Sequence, residues 1–359
     1  MRIQRKKHGY FTKKQYLCTM ERINWIDWAK AIAITMVVFG HLPMEADNYL
    51  LRYITTFHMP LFFFISGYLT KTGRPAQTQI SKYWISLILP YIIYNLAFYP
   101  YWLIRYYIEN DYHLGLPFDW AIKPFLGALL LQHESQYSCC LNGVTWFIAA
   151  LLLMKIILDS TNRWKYGNYL LFALSAICIV GFTTNEQLLF TRCLTPIGFM
   201  KCFPFYVLGH KMRNNCTIND TNPRNSIVLA ITGFISSNIA FSMSRHSELS
   251  FSINMTLFYI TSICAIVFVI ASCKLLNRIH SQIIENISNG TLIIMGFHWI
   301  AIGTINYINS KLFNDGTLIT YTTFQGILIC LGIEIIMYYL ISWSLKYAPL
   351  LAGKNNLTR

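Results

Sequence analysis

Residues 25–43 read WIDWAKAIAITMVVFGHLP, an apolar run of membrane-spanning length that carries Asp27, Lys30 and His41. At about 100° per residue, Asp27 and Lys30 share one helical face, and His41 falls within about 20° of Lys30 and about 16 Å further along the axis. An ionisable group inside a membrane helix costs about 2.5–3.5 kcal/mol on insertion scales, so it needs a compensating role. This face therefore predicts a functional site.

The composition of the whole chain agrees with a membrane environment. Of its 359 residues, 55% are hydrophobic and 12% are charged, and the mean hydropathy is +0.42. Soluble domains carry about 25% charged residues, so the composition excludes a soluble globular protein as well as a disordered chain, a collagen and a disulfide scaffold. It predicts an all-α polytopic membrane protein.

Apolar runs of the length that a bilayer core requires recur along the chain. A further stretch, 122–132, is too short to span and is typical of an interfacial or re-entrant segment. The sequence predicts about ten transmembrane helices, at roughly 25–43, 50–70, 83–108, 144–160, 168–184, 194–211, 226–243, 253–272, 289–309 and 322–346.

The formal charge of +14 comes from basic residues whose distribution along the chain agrees with the predicted topology. With the N-terminus inside, most of the Lys and Arg residues fall in the inner segments, as the positive-inside rule expects, so both termini are predicted to be cytoplasmic. We expect a basic tail over 1–24, which lacks the pattern of a cleaved signal peptide, a transmembrane domain over 25–346 and a C-terminal tail over 347–359. No basic module interleaved with aromatic residues indicates nucleic-acid binding.

The second span, TTFHMPLFFFISGYL at 55–69, places His58 one turn inside the membrane beside a proline and the small pair Ser66-Gly67. Small residues in a span favour close helix packing, whereas a buried imidazole needs a partner. In the ninth span His298 is either a satisfied core histidine or a relay. Lys201 in the sixth span also needs a partner, and Glu334 in the tenth is one candidate.

The ten cysteines show no spacing typical of a metal site, and no CxxC pair is present. The adjacent Cys139 and Cys140 fall in a predicted outer loop. A disulfide that involves one of them is a minor alternative to two free thiols.

A histidine can take a proton from a hydroxyl, and cations along a channel can hold a phosphorylated molecule. The intramembrane residues therefore suit acyl transfer from a cytoplasmic donor to a hydroxyl on the far side. They equally suit a proton-coupled transporter or flippase, although the inverted repeats typical of transporters are not apparent.

Several motifs resemble the membrane-bound acyltransferase 3 family, which includes bacterial surface-polysaccharide and fucose 4-O-acetylases. Asp27, Lys30 and His41 match its D-x-x-[R/K] pattern followed by ten residues and His, and FHMPLFFFISGY at 57–68 matches its F-H-M-P-x-F-F-x-x-S-G-Y signature. The family's R-x-x-R pair before the third span is replaced here by a segment containing Lys82, Tyr83 and Ser86, and its late Tyr by Met295. Shorter matches follow in order at Leu89-Pro90-Tyr91, Trp146-Phe147, Phe203 to Gly209 and Thr291 to His298.

The resemblance implies transfer of an acetyl group from acetyl-CoA to a sugar hydroxyl of a cell-surface polysaccharide or its lipid-linked precursor, in a bacterial cytoplasmic (inner) membrane. The sequence leaves open whether the transferred acyl group is acetyl or succinyl. It also leaves open whether the group passes directly to the acceptor or through an acyl-His41 intermediate. The partners would be the glycan and membrane lipids, and no metal is expected. The catalytic candidates are His41, Asp27, Lys30 and His58, those for the CoA phosphates are Lys30, Lys71, Arg74 and Lys82, and those for substrate binding or proton relay are His298, Ser66 and Trp146.

Overall fold

A computed structural model describes residues 23–73, 75–185, 192–215, 222–245, 249–313 and 319–355. Within these ranges the chain is all-α, and its β pairing is limited to two isolated bridges, Met44 with Tyr321 and His133 with Cys193. The prediction of an all-α polytopic protein is confirmed.

The longer helices follow one another as antiparallel rods. The α-helices are α1 Asn24–Gly40, α2 Tyr49–Leu69, α3 Ala76–Tyr83, α4 Leu89–Glu109, α5 Lys123–Leu129, α6 Trp146–Thr161, α7 Gly167–Thr184, α8 Leu194–Asn215, α9 Pro223–Ser244, α10 Phe251–Leu275, α11 Gln282–Asn289, α12 Thr291–Phe313 and α13 Thr323–Tyr347. A π-helical turn, Trp84–Ile88, joins α3 to α4 without a break.

Each predicted span coincides with one of these helices. Within the described residues, seven segments, which contain α4, α6, α7, α9, α10, α12 and α13, are long and apolar enough to cross a membrane. The other three helices at predicted spans are α1, α2 and α8, so the count of ten spans stays a prediction. The 122–132 stretch contains only the seven-residue α5, which is too short to span.

Large apolar side chains cover the outer surface of the bundle. Ile177 of α7, Val228 of α9 and Ile335 of α13 are each about three-fifths exposed. A surface of this kind is unfavourable in water and suits the hydrocarbon of a bilayer. We call the end of the bundle at which α1 begins the Asn24 end, and the end at which α1 finishes the His41 end.

Helices α2 and α8 approach closely because of two glycines. A Cβ atom on Gly67 would lie 2.0 Å from the Tyr206 carbonyl oxygen, and one on Gly209 would lie 2.0 Å from the Phe64 carbonyl oxygen. Small residues let helix backbones pack at short distance, which is the main source of attraction between helices in lipid. The sequence interpretation of Gly67 as a packing residue agrees with this geometry.

The turn after α1 is held by the loop before α13. The Tyr321 amide donates to the Pro43 carbonyl at 2.8 Å, and the Glu45 amide donates to the Tyr321 carbonyl at 3.2 Å. The Asn48 side chain then caps α2 by accepting from the Leu51 amide at 2.9 Å. These bonds fix the direction in which His41, the first residue after α1, can point.

Candidate active site

His41 and His298 meet at the end of α1. His41 Nδ1 lies 2.8 Å from the Val37 carbonyl oxygen and 3.4 Å from His298 Nε2. The two ring centroids are 4.9 Å apart and the ring planes cross at 62°. His298 is completely buried, whereas His41 is partly exposed. The pair therefore has one ring in the protein interior and one ring facing a more open space.

The backbone fixes the tautomer of both rings. A carbonyl oxygen only accepts, so His41 Nδ1 carries a hydrogen that it donates to Val37. His298 Nδ1 likewise donates to the carbonyls of Ile294 and Met295, at 2.8 and 3.0 Å. His298 Nε2 is then an acceptor for the hydrogen on His41 Nδ1. This arrangement leaves the lone pair of His41 on Nε2, which is the form that a general base requires.

His58 lies beside this pair on α2. Its Nδ1 is 3.0 Å from the Ile54 carbonyl oxygen, and its ring is buried. A Cβ atom on Gly40 would lie 3.8 Å from Cε1 and 4.0 Å from Nε2 of His58. The glycine that precedes His41 therefore sits against the His58 imidazole, so the two motifs predicted from sequence to share a site are neighbours.

Lys30 and Asp27 are joined through a residue of α11. Lys30 Nζ donates to the Ser288 carbonyl oxygen, and Ser288 Oγ donates to Asp27 Oδ1 at 2.5 Å. Asp27 and Ser288 are buried, and Lys30 is partly exposed. One serine thus ties both charged residues of α1 to the Asn24 end of the bundle, which the pattern of the first span could not reveal.

Two cavities are lined by neighbours of the histidine pair. The first, which we name the Lys30 cavity, has a volume of about 160 Å³ and is lined by Lys30, Phe62, Ile65, Ser66, Leu69, Leu87, Phe147, Leu151, Thr291, Leu292 and Met295. The second, which we name the Trp299 cavity, has a volume of about 300 Å³ and is lined by Phe98, Tyr101, Trp102, Arg105, Tyr106, Glu109, Glu134, Cys139, Cys140, Leu141 and Trp299.

Both cavities reach residues that contact the histidines. Met295 lines the Lys30 cavity, and its carbonyl accepts from His298. Trp299 lines the other cavity, and its ring centroid is 5.6 Å from that of His41. The histidine pair thus has a direct neighbour in the wall of each cavity.

Comparison with known proteins assigns the chain to a family. A family model described as an acyltransferase domain matches residues 23–343, which is most of the chain. The chain belongs to the acyltransferase 3 family. Its candidate spans agree with a multi-pass membrane protein, and the family match favours acyl transfer over the transporter alternative.

One curated relative aligns with part of this acyltransferase. The nodulation protein NolL of Mesorhizobium japonicum is 27% identical over 201 residues, which cover 51% of this chain and 46% of NolL. The aligned part thus spans about half the length of that relative. No solved structure matches the chain at a significant level.

The remaining predicted site residues of the acyltransferase fall into three groups. Lys71 and Lys82 are exposed at the Asn24 end, and Arg74 lies outside the described residues. Ser66 lines the Lys30 cavity. Trp146 packs against Phe63, with ring centroids 5.9 Å apart, and against the backbone of Gly198. The contacts of Trp146 indicate helix packing, which is a different use from substrate binding.

The suggested pairing of Lys201 with Glu334 is wrong. Lys201 Nζ lies 4.4 Å from the centroid of the Phe258 ring, which makes a cation–π contact. Glu334 accepts from Thr35 Oγ1 at 3.1 Å on another side of α1. The two residues belong to helices that pack on different partners, a fact that hydropathy alone does not encode.

Sequence reasoning did not single out Lys155. This residue lies within α6, and its Nζ donates to Thr70 Oγ1 at 2.9 Å. The Tyr206 hydroxyl donates to the same oxygen at 3.0 Å. The signal was present, because this lysine interrupts the apolar run 146–158, and the argument applied to Lys30 holds for it as well.

Cys139 and Cys140 are free thiols at the edge of the Trp299 cavity. Burial raises the pKa of Cys139 to about 11 and that of Cys140 to about 12. The suggested disulfide is not formed. Among the described residues, no group of three or more His, Cys, Asp or Glu side chains could hold a metal ion.

Proposed function

We propose that this acyltransferase moves an acetyl group from acetyl-CoA to a sugar hydroxyl of a cell-surface polysaccharide or its lipid-linked precursor, in a bacterial cytoplasmic membrane. The observation that carries the proposal is the His41–His298 pair, which has a direct neighbour in the wall of the Lys30 cavity and another in the wall of the Trp299 cavity. In the proposal the donor enters by one cavity and the acceptor by the other, and His41 is the base that acts between them.

The orientation follows from charge. Lys71, Lys82 and Lys274 lie at or near the Asn24 end of the bundle, together with Arg163 and Arg278. Cytoplasmic segments of membrane proteins are enriched in Lys and Arg, so this end is assigned to the cytoplasm. The donor would approach from this end and the acceptor from the His41 end.

The Lys30 cavity suits the slender arm of a thioester better than a bulky ring. Its volume is about 160 Å³, and its wall is mostly aromatic and aliphatic, with Lys30 and Ser66 as polar members. Lys30, Lys71 and Lys82 provide positive charge for the phosphates of CoA. The free carboxylate of a succinyl group would be buried among Phe62, Phe147 and Met295 at a high desolvation cost, which favours acetyl over succinyl.

In the proposed reaction His41 Nε2 removes the proton of the acceptor hydroxyl while the hydroxyl oxygen forms a bond to the thioester carbonyl carbon. The carbon–sulfur bond then breaks, and the proton passes from His41 to the departing thiolate. While His41 is charged, its Nδ1–H donates to the Val37 carbonyl and to His298 Nε2, and these two acceptors stabilise the imidazolium. The net products are an ester and a free thiol.

The test uses purified protein in lipid nanodiscs with acetyl-CoA labelled on the acetyl group and surface glycan as acceptor. His41→Gln keeps a polar side chain of similar length without a basic nitrogen, and it should lower kcat by about 10²–10⁴-fold. His113→Gln, at an exposed loop residue of the His41 end, is the matched control and should leave kcat unchanged. Label transfer at the wild-type rate by the His41 variant, with normal folding, would exclude the proposed role.

A further inference from the structure

We propose that the Trp299 cavity is the acceptor subsite and that it binds an uncharged pyranose unit. This inference rests on the proposed function, because it gives that reaction its second substrate class. The cavity volume of about 300 Å³ lies at the lower end of the range for small-molecule pockets, about 300–1,000 Å³. It is thus of a size for a single sugar ring and part of its neighbour.

One face of α4 supplies most of the wall. Phe98, Tyr101, Trp102, Arg105 and Tyr106 recur at the three- and four-residue spacing that brings side chains onto one side of a helix. The Trp102 and Tyr106 rings stack with centroids 5.0 Å apart and planes 14° apart. The outer face of this stack offers a flat apolar shelf, which fits the C–H face of a pyranose.

Polar groups stand beside this shelf. Arg105 Nε donates to Glu109 Oε1 at 2.7 Å, and both side chains remain more than half exposed. Glu134, in the loop after α5, lines the same cavity. A guanidinium and two carboxylates offer donors and acceptors that match sugar hydroxyls. A hydrocarbon chain in the cavity would exclude water from these charged groups without offering them hydrogen bonds, which is unfavourable. A lipid tail is therefore a poor occupant.

The charges also indicate which sugar. Two carboxylates and one guanidinium give the wall a net negative charge, so a uronic acid or another acidic sugar would be repelled. An uncharged ring meets no such repulsion. The cavity thus selects by charge as well as by shape.

Two glycines leave room for side chains that form the walls of the cavity. A Cβ atom on Gly303 would lie 1.7 Å from the Tyr101 hydroxyl oxygen, and one on Gly143 would lie 2.9 Å from Cη2 of Trp299. Trp299 in turn contacts the His41 ring. A sugar on the shelf thus rests in the cavity whose wall residue Trp299 borders the general base, and the proposal requires one of its hydroxyls to face His41 Nε2.

The experiment measures saturation-transfer NMR of methyl pyranosides on the protein in lipid nanodiscs free of sugar detergents. Neutral methyl hexosides should give signals, and the matching methyl uronosides should give much weaker ones. Trp102→Ala and Tyr106→Ala should each weaken binding of the neutral sugars by roughly tenfold. Tyr107→Ala, on the same helix but outside the cavity wall, is the matched control and should bind as the wild type does.

Equal signals from neutral and acidic sugars, no signal from any sugar, or unchanged binding by both shelf variants would overturn the inference. Acetyl-CoA hydrolysis without acceptor is measured on the same samples and reports folding and donor chemistry. If hydrolysis persists while sugar binding is absent, only the acceptor subsite is wrong. If sugars bind at the shelf while the wild-type protein transfers no acetyl group to them or to the surface glycan, the proposed function is wrong and the sugar-binding site stands.

Discussion

The hydrogen bond from His41 to His298 allows kcat of His298 variants to be predicted quantitatively. His298 is completely buried, and its Nε2 is an acceptor at 3.4 Å from His41 Nδ1. Phe in place of His298 fills a similar volume but offers no acceptor. Gln presents an amide oxygen that can accept the same hydrogen. The two variants thus separate the hydrogen bond from packing.

The magnitude follows from the charge that His41 gains during transfer. A hydrogen bond to a charged partner contributes about 1.5–3 kcal/mol, and each 1.36 kcal/mol changes a rate about tenfold. His298→Phe should therefore lower kcat by about 10- to 150-fold. This loss is smaller than that from His41→Gln, because the base itself remains. His298→Gln should recover most of the wild-type kcat.

The assay is label transfer from acetyl-CoA at saturating acceptor, with thermal unfolding of each variant measured in parallel. KM for acetyl-CoA should change little, since Lys30 and the lysines of the Asn24 end are untouched. If Phe and Gln variants of equal stability turn over at the same rate, His298 is not a positioning residue, and its contacts with Ile294 and Met295 serve packing alone.

Two further outcomes are expected. Lys30→Met removes the ammonium from the Lys30 cavity and should raise KM for acetyl-CoA about tenfold with little change in kcat. Lys30→Arg keeps the charge and should have a KM near that of the wild type. An unchanged KM in the Met variant would show that Lys30 does not bind the donor. Cys139 and Cys140 have pKa values raised to about 11 and about 12, so both are protonated at neutral pH. Their labelling by maleimide, followed by mass spectrometry, should be slow at pH 7 and rise about tenfold per pH unit toward pH 10, and fast labelling at pH 7 would contradict the burial of these thiols.

Apolar runs and their spacing sufficed to predict the helices, because a bilayer leaves a spanning segment little choice but to satisfy its own backbone hydrogen bonds. The same reasoning located Asp27, Lys30, His41 and His58, since the cost of an ionisable group in lipid marks it even in a single sequence. Family membership followed from the short motifs around these residues, and the family match over 23–343 confirms it.

Partners between helices depended on the tertiary structure. Nothing in the spacing shows that Ser288 joins Lys30 to Asp27, that Glu334 bonds to Thr35, or that His298 accepts from His41. Hydropathy measures what each segment buries, but it carries no information on which face meets which neighbour. That choice is made by close packing of small residues and by hydrogen bonds between distant segments, and it alone brings His41 and His298 together.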